Sequence, residues 1–109
     1  MTTIISKNDL IQSVADSLQH ISYYHPLDYI QNLADAYEIE ESPAAKDAIA
    51  QILINSRMCA EGRRPICQDT GIVTEFCKVG MDVQWETDQS FDEMINEGVR
   101  RAYVNPDNK

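Results

Sequence analysis

Apolar side chains recur every three or four residues in four separate segments of this sequence, and that period is typical of helices. The first segment follows Ser6, which we interpret as its N-cap. The second begins at Pro26, because proline lacks a backbone N–H and the first helical position does not need one. The four apolar stripes are Leu10, Ile11, Val14, Leu18 and Ile21; Tyr29, Ile30, Leu33, Ala34 and Tyr37; Ala45, Ala48, Ile49, Ile52 and Leu53; and Phe91, Met94, Ile95, Val99, Ala102 and Tyr103.

The third and fourth segments carry clear signals for where their helices begin. Ser42 followed by Pro43 predicts a capped start for the third helix, and Gly62 is its natural end. Ser90 and Glu93 predict a capping box, in which each side chain satisfies a backbone N–H of the first turn. The helix boundaries are therefore set by local chemistry as well as by periodicity.

Between the third and fourth helices the sequence becomes rich in β-branched and aromatic residues. The stretch IVTEFCKVGMDVQW predicts a strand over residues 72–79 and a second short strand over residues 82–85. Two strands alone are too few for an independently stable sheet. We therefore expect an α+β fold with a mainly helical N-terminal half, followed by a small, incomplete sheet and a closing helix.

The charge balance excludes some classes of partner. The 109 residues include 9 basic and 18 acidic side chains, giving a formal net charge of −9. Such a surface repels phosphate backbones and anionic membranes, so we expect neither nucleic acid nor a membrane as partner. The N-terminus lacks the basic start and apolar stretch of a secretory signal, and a cytoplasmic location is the expectation.

The chain has three cysteines, Cys59, Cys67 and Cys77, and none of them forms a Cys-x-x-Cys pair of the kind found in zinc sites. Cys59 lies near the end of an apolar helix and Cys77 lies in a predicted strand. Both positions favour small core residues. His20 and His25 lie near helix ends, where we expect partly exposed surface residues rather than ligands.

The stretch RPICQDTG, residues 64–71, has the highest density of reactive groups. Cys67 follows Arg63 and Arg64, and positive charge favours the thiolate, the form that binds metals. A proline two positions before the cysteine and Gly71 four positions after it favour a turn between a helix and a strand. Asp-Thr-Gly is also a common turn composition, so a purely structural turn stays open on this reasoning.

The sequence resembles class I fumarate hydratase, the iron–sulfur type, of which tartrate dehydratase is a close relative. The resemblance rests on SPAAKDAIAQILINSRMCAEGRRPICQDTGIV, on KVGMDVQW and on EGVRRAYVNPDNK. It implies a 4Fe–4S cluster held by three cysteines, with Cys67 as one metal ligand. Cys59 and Cys77 do not match ligand positions. The resemblance also implies Asp69 as a catalytic residue in proton transfer, and Gln68 and Asp69 as substrate-binding residues.

The resemblance further implies that residues 1–109 form a partial N-terminal domain of a longer hydratase, truncated before the other two cluster ligands. The parent would be a cytoplasmic homodimer that hydrates fumarate to L-malate in the tricarboxylic acid cycle. We expect the isolated chain to be inactive and free of cluster. Two alternatives stay open: a fragment of a tartrate dehydratase subunit, and a non-catalytic helical interaction module in which Cys67 is a core or turn residue.

Overall fold

The structure is a computed structural model that describes residues 1–67 and 71–104. Its fold is α+β, as the sequence predicts, and the described residues divide into two compact units. The first unit combines residues 1–19 with residues 71–104, and the second contains residues 20–67. The elements are β1 (Thr3–Ser6), α1 (Lys7–Tyr23), α2 (Leu27–Ile39), α3 (Pro43–Gly62), β2 (Val83–Glu86) and α4 (Phe91–Val104).

The helix starts follow the predicted capping chemistry. Ser6 Oγ accepts a hydrogen bond from the Asp9 N–H at 3.1 Å. Ser42 Oγ accepts one from the Ala45 N–H at 3.4 Å, with Pro43 as the first helical residue. Pro26 differs slightly from its predicted position: it is the N-cap of α2, with an extended ψ of 147°. The capping serines therefore confirm that these boundaries are encoded locally.

The core of the first unit lies between α1 and α4. Gly98 of α4 faces Val14 of α1 without room for a side chain, because a Cβ at this position would come within 2.6 Å of Val14 Cβ. The Gln19 side-chain amide donates to the Ala102 carbonyl at 3.2 Å, across the same pair of helices. A glycine therefore permits this close helix approach. The buried apolar residues of this core are Ile11, Val14, Ala15, Leu18 and Met94.

The first unit also holds a two-stranded parallel sheet. β1 pairs with β2 from Thr3 opposite Val83 to Ser6 opposite Glu86. β2 confirms the second predicted strand within one residue, and Trp85 contacts Phe91 at the start of α4 with ring centroids 5.3 Å apart. β1 was not predicted, because its partner lies some 80 positions away in the chain and its four residues carry no clear period.

The strand predicted over residues 72–79 is wrong: the structure assigns no strand to that segment. Ile72 and Phe76 there are 80% and 95% exposed. The β-branched and aromatic composition that predicts a strand reflects a tendency to pack on a half-buried sheet surface. The side chains of this segment do not receive that packing here, so composition alone does not produce a strand.

The second unit contains the end of α1, followed by α2 and α3, which pack against each other. The Lys46 ammonium of α3 lies 4.3 Å from the centre of the Tyr37 ring of α2, a cation–π contact. His25 Nδ1 lies 2.9 Å from Oγ of the buried Ser56, and the His25 ring stacks on Tyr29. No helix in the described ranges, 1–67 and 71–104, has the length and apolar character to cross a membrane.

Candidate functional site

The candidate site begins where α3 ends. Arg63 follows the last helical residue with φ 50° and ψ 56°, the left-handed conformation that usually selects glycine. The Arg63 and Arg64 N–H groups both donate to the Cys59 carbonyl, the second at 3.1 Å. The bond from Arg63 is that of an αL helix end, and the bond from Arg64 is one that Schellman ends also contain. Gly62 is the last helical residue, as predicted, but the arginine after it makes the turn.

The four residues after this turn are held by hydrogen bonds to the surrounding helices. The Pro65 carbonyl accepts a hydrogen bond from the Cys59 thiol, with a sulfur–oxygen distance of 3.3 Å. The Ile66 N–H donates to the Ser22 carbonyl in the last turn of α1, at 2.8 Å. Hydrogen bonds to α3 and to α1 therefore fix the backbone that leads to Cys67, the predicted metal ligand.

Cys67 lies in a turn with an exposed side chain. Its backbone N–H donates to Oδ1 of Asn55, a residue of α3, at 3.2 Å. The same oxygen accepts a second hydrogen bond from the Cys59 thiol, at 3.6 Å. The structure thus places the thiol of Cys67 at the surface while its backbone is tied to α3.

The other two predicted site residues, Gln68 and Asp69, lie outside the described residues. Their predicted roles in substrate binding and proton transfer stay predictions. Arg63 and Arg64, the two cations expected to favour a thiolate, are exposed residues close to Cys67 in sequence.

The remaining cysteines differ from each other. Cys59 is buried, with 4% of its surface exposed, which confirms its interpretation as a core residue. Cys77 was expected to be buried in a strand, and that expectation is wrong, because Cys77 is exposed and the segment around it is not a strand. His25 is half-buried against Ser56, and His20 is exposed beside Tyr24.

Sequence reasoning missed Asn55 and Ser22, the two residues whose polar groups hold the backbone of residues 66 and 67. Asn55 carried one available signal. Asparagine is a poor residue for the interior of a helix, and it stands there between apolar positions of α3. Such a residue is often retained for a specific hydrogen bond. The Ser22 contact uses a backbone carbonyl, which the amino-acid sequence cannot reveal.

The donor chemistry of this site fits one ligand of an iron–sulfur cluster, because cysteine thiolates hold such clusters and Cys67 is exposed and not in a disulfide. Across residues 1–67 and 71–104 there is no group of three histidine, cysteine or acidic side chains that could hold a metal ion. The described residues therefore do not form a complete metal site by themselves.

Comparison with known proteins places this sequence in a family. Residues 11–107 match the family described as "Fumarate hydratase (Fumerase)". The chain belongs to the fumarate hydratase family. The matched residues include the Cys67 turn and the residues of α1 and α3 that hold it, so the family match covers the candidate site.

Within this family the chain is similar to a protein of Methanocaldococcus jannaschii named "Putative L(+)-tartrate dehydratase subunit alpha". The two sequences are 32% identical over 89 residues, which is 82% of this chain. The chain spans 31% of the length of that relative. No solved structure matches the chain.

Proposed function

We propose that this chain is the part of an iron–sulfur hydro-lyase that supplies one cluster ligand and part of the substrate site. The reaction is the reversible addition of water to fumarate, which gives L-malate. The observation that supports the proposal is the exposed thiol of Cys67, held on a hydrogen-bonded turn at the centre of the family match. Family membership favours this function over the alternative of a non-catalytic interaction module.

The proposed metal ligand is Cys67, as the thiolate. When bound, a 4Fe–4S cluster with one open iron supplies Lewis-acid activation of the substrate hydroxyl. We propose that the other cluster ligands come from sequence outside this chain, as the family resemblance implies. The 31% coverage of the relative is consistent with a larger whole protein.

The proposed catalytic residue of this chain is Asp69, which would exchange a proton with the carbon next to the hydroxyl-bearing carbon. The proposed substrate contacts are Gln68, through its amide, and Asp69. A carboxylate is suited to proton transfer when it lies within hydrogen-bond reach of the reacting carbon. Both assignments rest on the family motif, since these two residues lie outside the described ranges.

A second candidate substrate is tartrate, and a specific observation favours it: the relative at 32% identity is named as a tartrate dehydratase subunit. Both reactions remove or add water beside a carboxylate, so the same ligand and the same acid–base residues serve either one. The substrates are small dicarboxylates in both cases. We also propose that the whole protein acts as a cytoplasmic homodimer.

The test uses the complete protein that contains this chain, purified without oxygen and supplied with iron and sulfide. Cys67→Ser should lower bound iron and should lower fumarate or tartrate turnover by more than about 100-fold, since loss of a group that merely supports a ligand costs 10–100-fold. Cys77→Ser is the matched control, because Cys77 is also exposed but is not assigned to the site. Equal iron content and turnover in both variants would contradict the proposal.

Comparing fumarate, L-malate and tartrate as substrates of the unmodified protein decides between the two reactions.

A further inference from the structure

Every backbone N–H group in the turn of residues 64–67 donates a hydrogen bond within the protein. Arg64 donates to the Cys59 carbonyl, Ile66 donates to the Ser22 carbonyl, and proline at position 65 has no N–H. The Cys67 N–H is the last donor of this turn. Its acceptor is a side chain, the amide oxygen of Asn55. A single side chain therefore fixes the residue that carries the thiol.

The orientation of the Asn55 amide follows from its partners. A backbone N–H can only donate, so the atom that faces Cys67 must be the oxygen. The Cys59 thiol also approaches this oxygen, at 3.6 Å, and donates to it. Asn55 is half-buried on α3. Its amide oxygen lies between the buried Cys59 thiol of the same helix and the Cys67 N–H of the exposed turn.

From this geometry we infer that Asn55 is a positioning residue for the metal ligand Cys67, an inference that rests on the proposed function. By fixing the Cys67 backbone, Asn55 limits the positions from which the thiol can reach a metal. Groups that orient a metal ligand typically change metal affinity by 10–100-fold when they are removed. In this role Asn55 does not contact substrate. It affects metal binding only through the position of the Cys67 thiolate.

The first measurement follows amide hydrogen exchange in the complete protein at single-residue resolution, separately for the Ile66 and Cys67 amides. Asn55→Ala should speed exchange at the Cys67 amide by about ten-fold, because that N–H loses its only protein acceptor described here. Exchange at the Ile66 amide should change less than about two-fold, since its acceptor is the Ser22 carbonyl. The control is Asn32→Ala, which removes an exposed asparagine from α2 and should leave both amides unchanged.

The second measurement is the rate at which the reconstituted protein loses iron to a chelator. Asn55→Ala should accelerate that loss by about ten-fold. Asn55→Asp keeps an acceptor oxygen in the same place and should restore both the slow exchange and most of the iron retention. A general loss of stability would instead affect both amides and would not be restored selectively by an acceptor.

The outcomes separate this inference from the proposed function. If the unmodified protein retains iron through Cys67 and Asn55→Ala retains it equally well, the positioning role is wrong and the proposed function stands. If the unmodified protein binds no iron, the proposed function fails, and the inference fails with it whatever the amide exchange shows. Faster exchange and faster iron loss in Asn55→Ala, both restored by Asn55→Asp, would establish the role.

Discussion

Gly98 of α4 lies against Val14 of α1 so closely that a Cβ at position 98 would come within 2.6 Å of Val14 Cβ and 2.9 Å of the Ile11 carbonyl oxygen. One of these neighbours is backbone and cannot rotate away. Gly98→Ala should therefore force the two helices apart. Overpacking of this kind costs about 1–3 kcal/mol, which outweighs the gain of roughly 1 kcal/mol in helix propensity.

The measurement is urea unfolding of Gly98→Ala, with a lower free energy of unfolding as the expected result. Gly62→Ala is the control, because an added Cβ there would meet no atom closer than 3.6 Å, on the flexible Arg64 side chain. That variant should be neutral or slightly stabilising. A Gly98→Ala protein as stable as the unmodified one would show that α1 and α4 do not pack as described.

The sequence predicted the local features of this fold better than the contacts between distant segments. Helices and their caps depend on residues three or four positions apart, so Ser42 and Ser90 were identified correctly from the sequence. The pairing of β1 with β2 and the contact between Asn55 and Cys67 join distant segments, and no local pattern encodes them. The Cys67 turn was recognisable from its motif, whereas the position of Asn55 inside α3 was unusual but did not reveal which residue it contacts.

The capping box of α4 should contribute measurably to stability. Ser90 Oγ accepts from the Glu93 N–H at 3.1 Å, and the Ser90 N–H donates to Glu93 Oε2 at 3.3 Å. Ser90→Ala removes one of these bonds and should lower the free energy of unfolding by about 1 kcal/mol. Ser90→Asp retains an acceptor and should lose much less. Equal losses for both variants would show that the hydroxyl acts by something other than capping.

Glu97 should make the stability of the protein depend on pH in acid. Its side chain hydrogen-bonds to Arg100 at 2.6 and 2.7 Å and to Arg101 at 3.3 Å. The Arg100 hydrogen bond is the main cause that lowers the pKa of Glu97 from 4.5 to about 2. A lowered pKa stabilises the folded state above the unfolded-state pKa, and that contribution is lost as the pH falls from about 4.5 through about 2.

Glu97→Gln removes this titration, so the variant should be less stable than the unmodified protein at pH 6, and the difference should shrink toward pH 2. Urea midpoints measured across this range provide the test. Glu38→Gln is the matched control, because it removes the same charge from an exposed position on α2. Parallel profiles for Glu97→Gln and the unmodified protein would show that the ion pairs do not form in solution.

The 109-residue chain alone should neither retain a cluster nor hydrate fumarate. A single thiolate, Cys67, is the ligand that we assign to it, and the described residues do not complete a three-ligand set. The test is anaerobic reconstitution with iron and sulfide, followed by measurement of bound iron and of malate formation. Stoichiometric cluster and turnover from this chain alone would contradict the proposal that the other ligands lie outside it.

Alkylation should separate the three cysteines by exposure in the reduced, metal-free protein. Cys67 and Cys77 are exposed, whereas Cys59 is buried and its thiol donates to Asn55 and to the Pro65 carbonyl. Cys59 can react only after the surrounding structure opens, so its rate should be at least about ten-fold lower than the other two. Mass spectrometry of peptides after timed treatment with iodoacetamide measures the three rates separately. Asn55→Ala should raise the rate at Cys59, because its thiol proton loses one of the two acceptors within reach, while Cys77 serves as the internal standard. Rapid alkylation of Cys59 in the unmodified protein would contradict its place in the core and, with it, the anchoring of the Cys67 turn on α3.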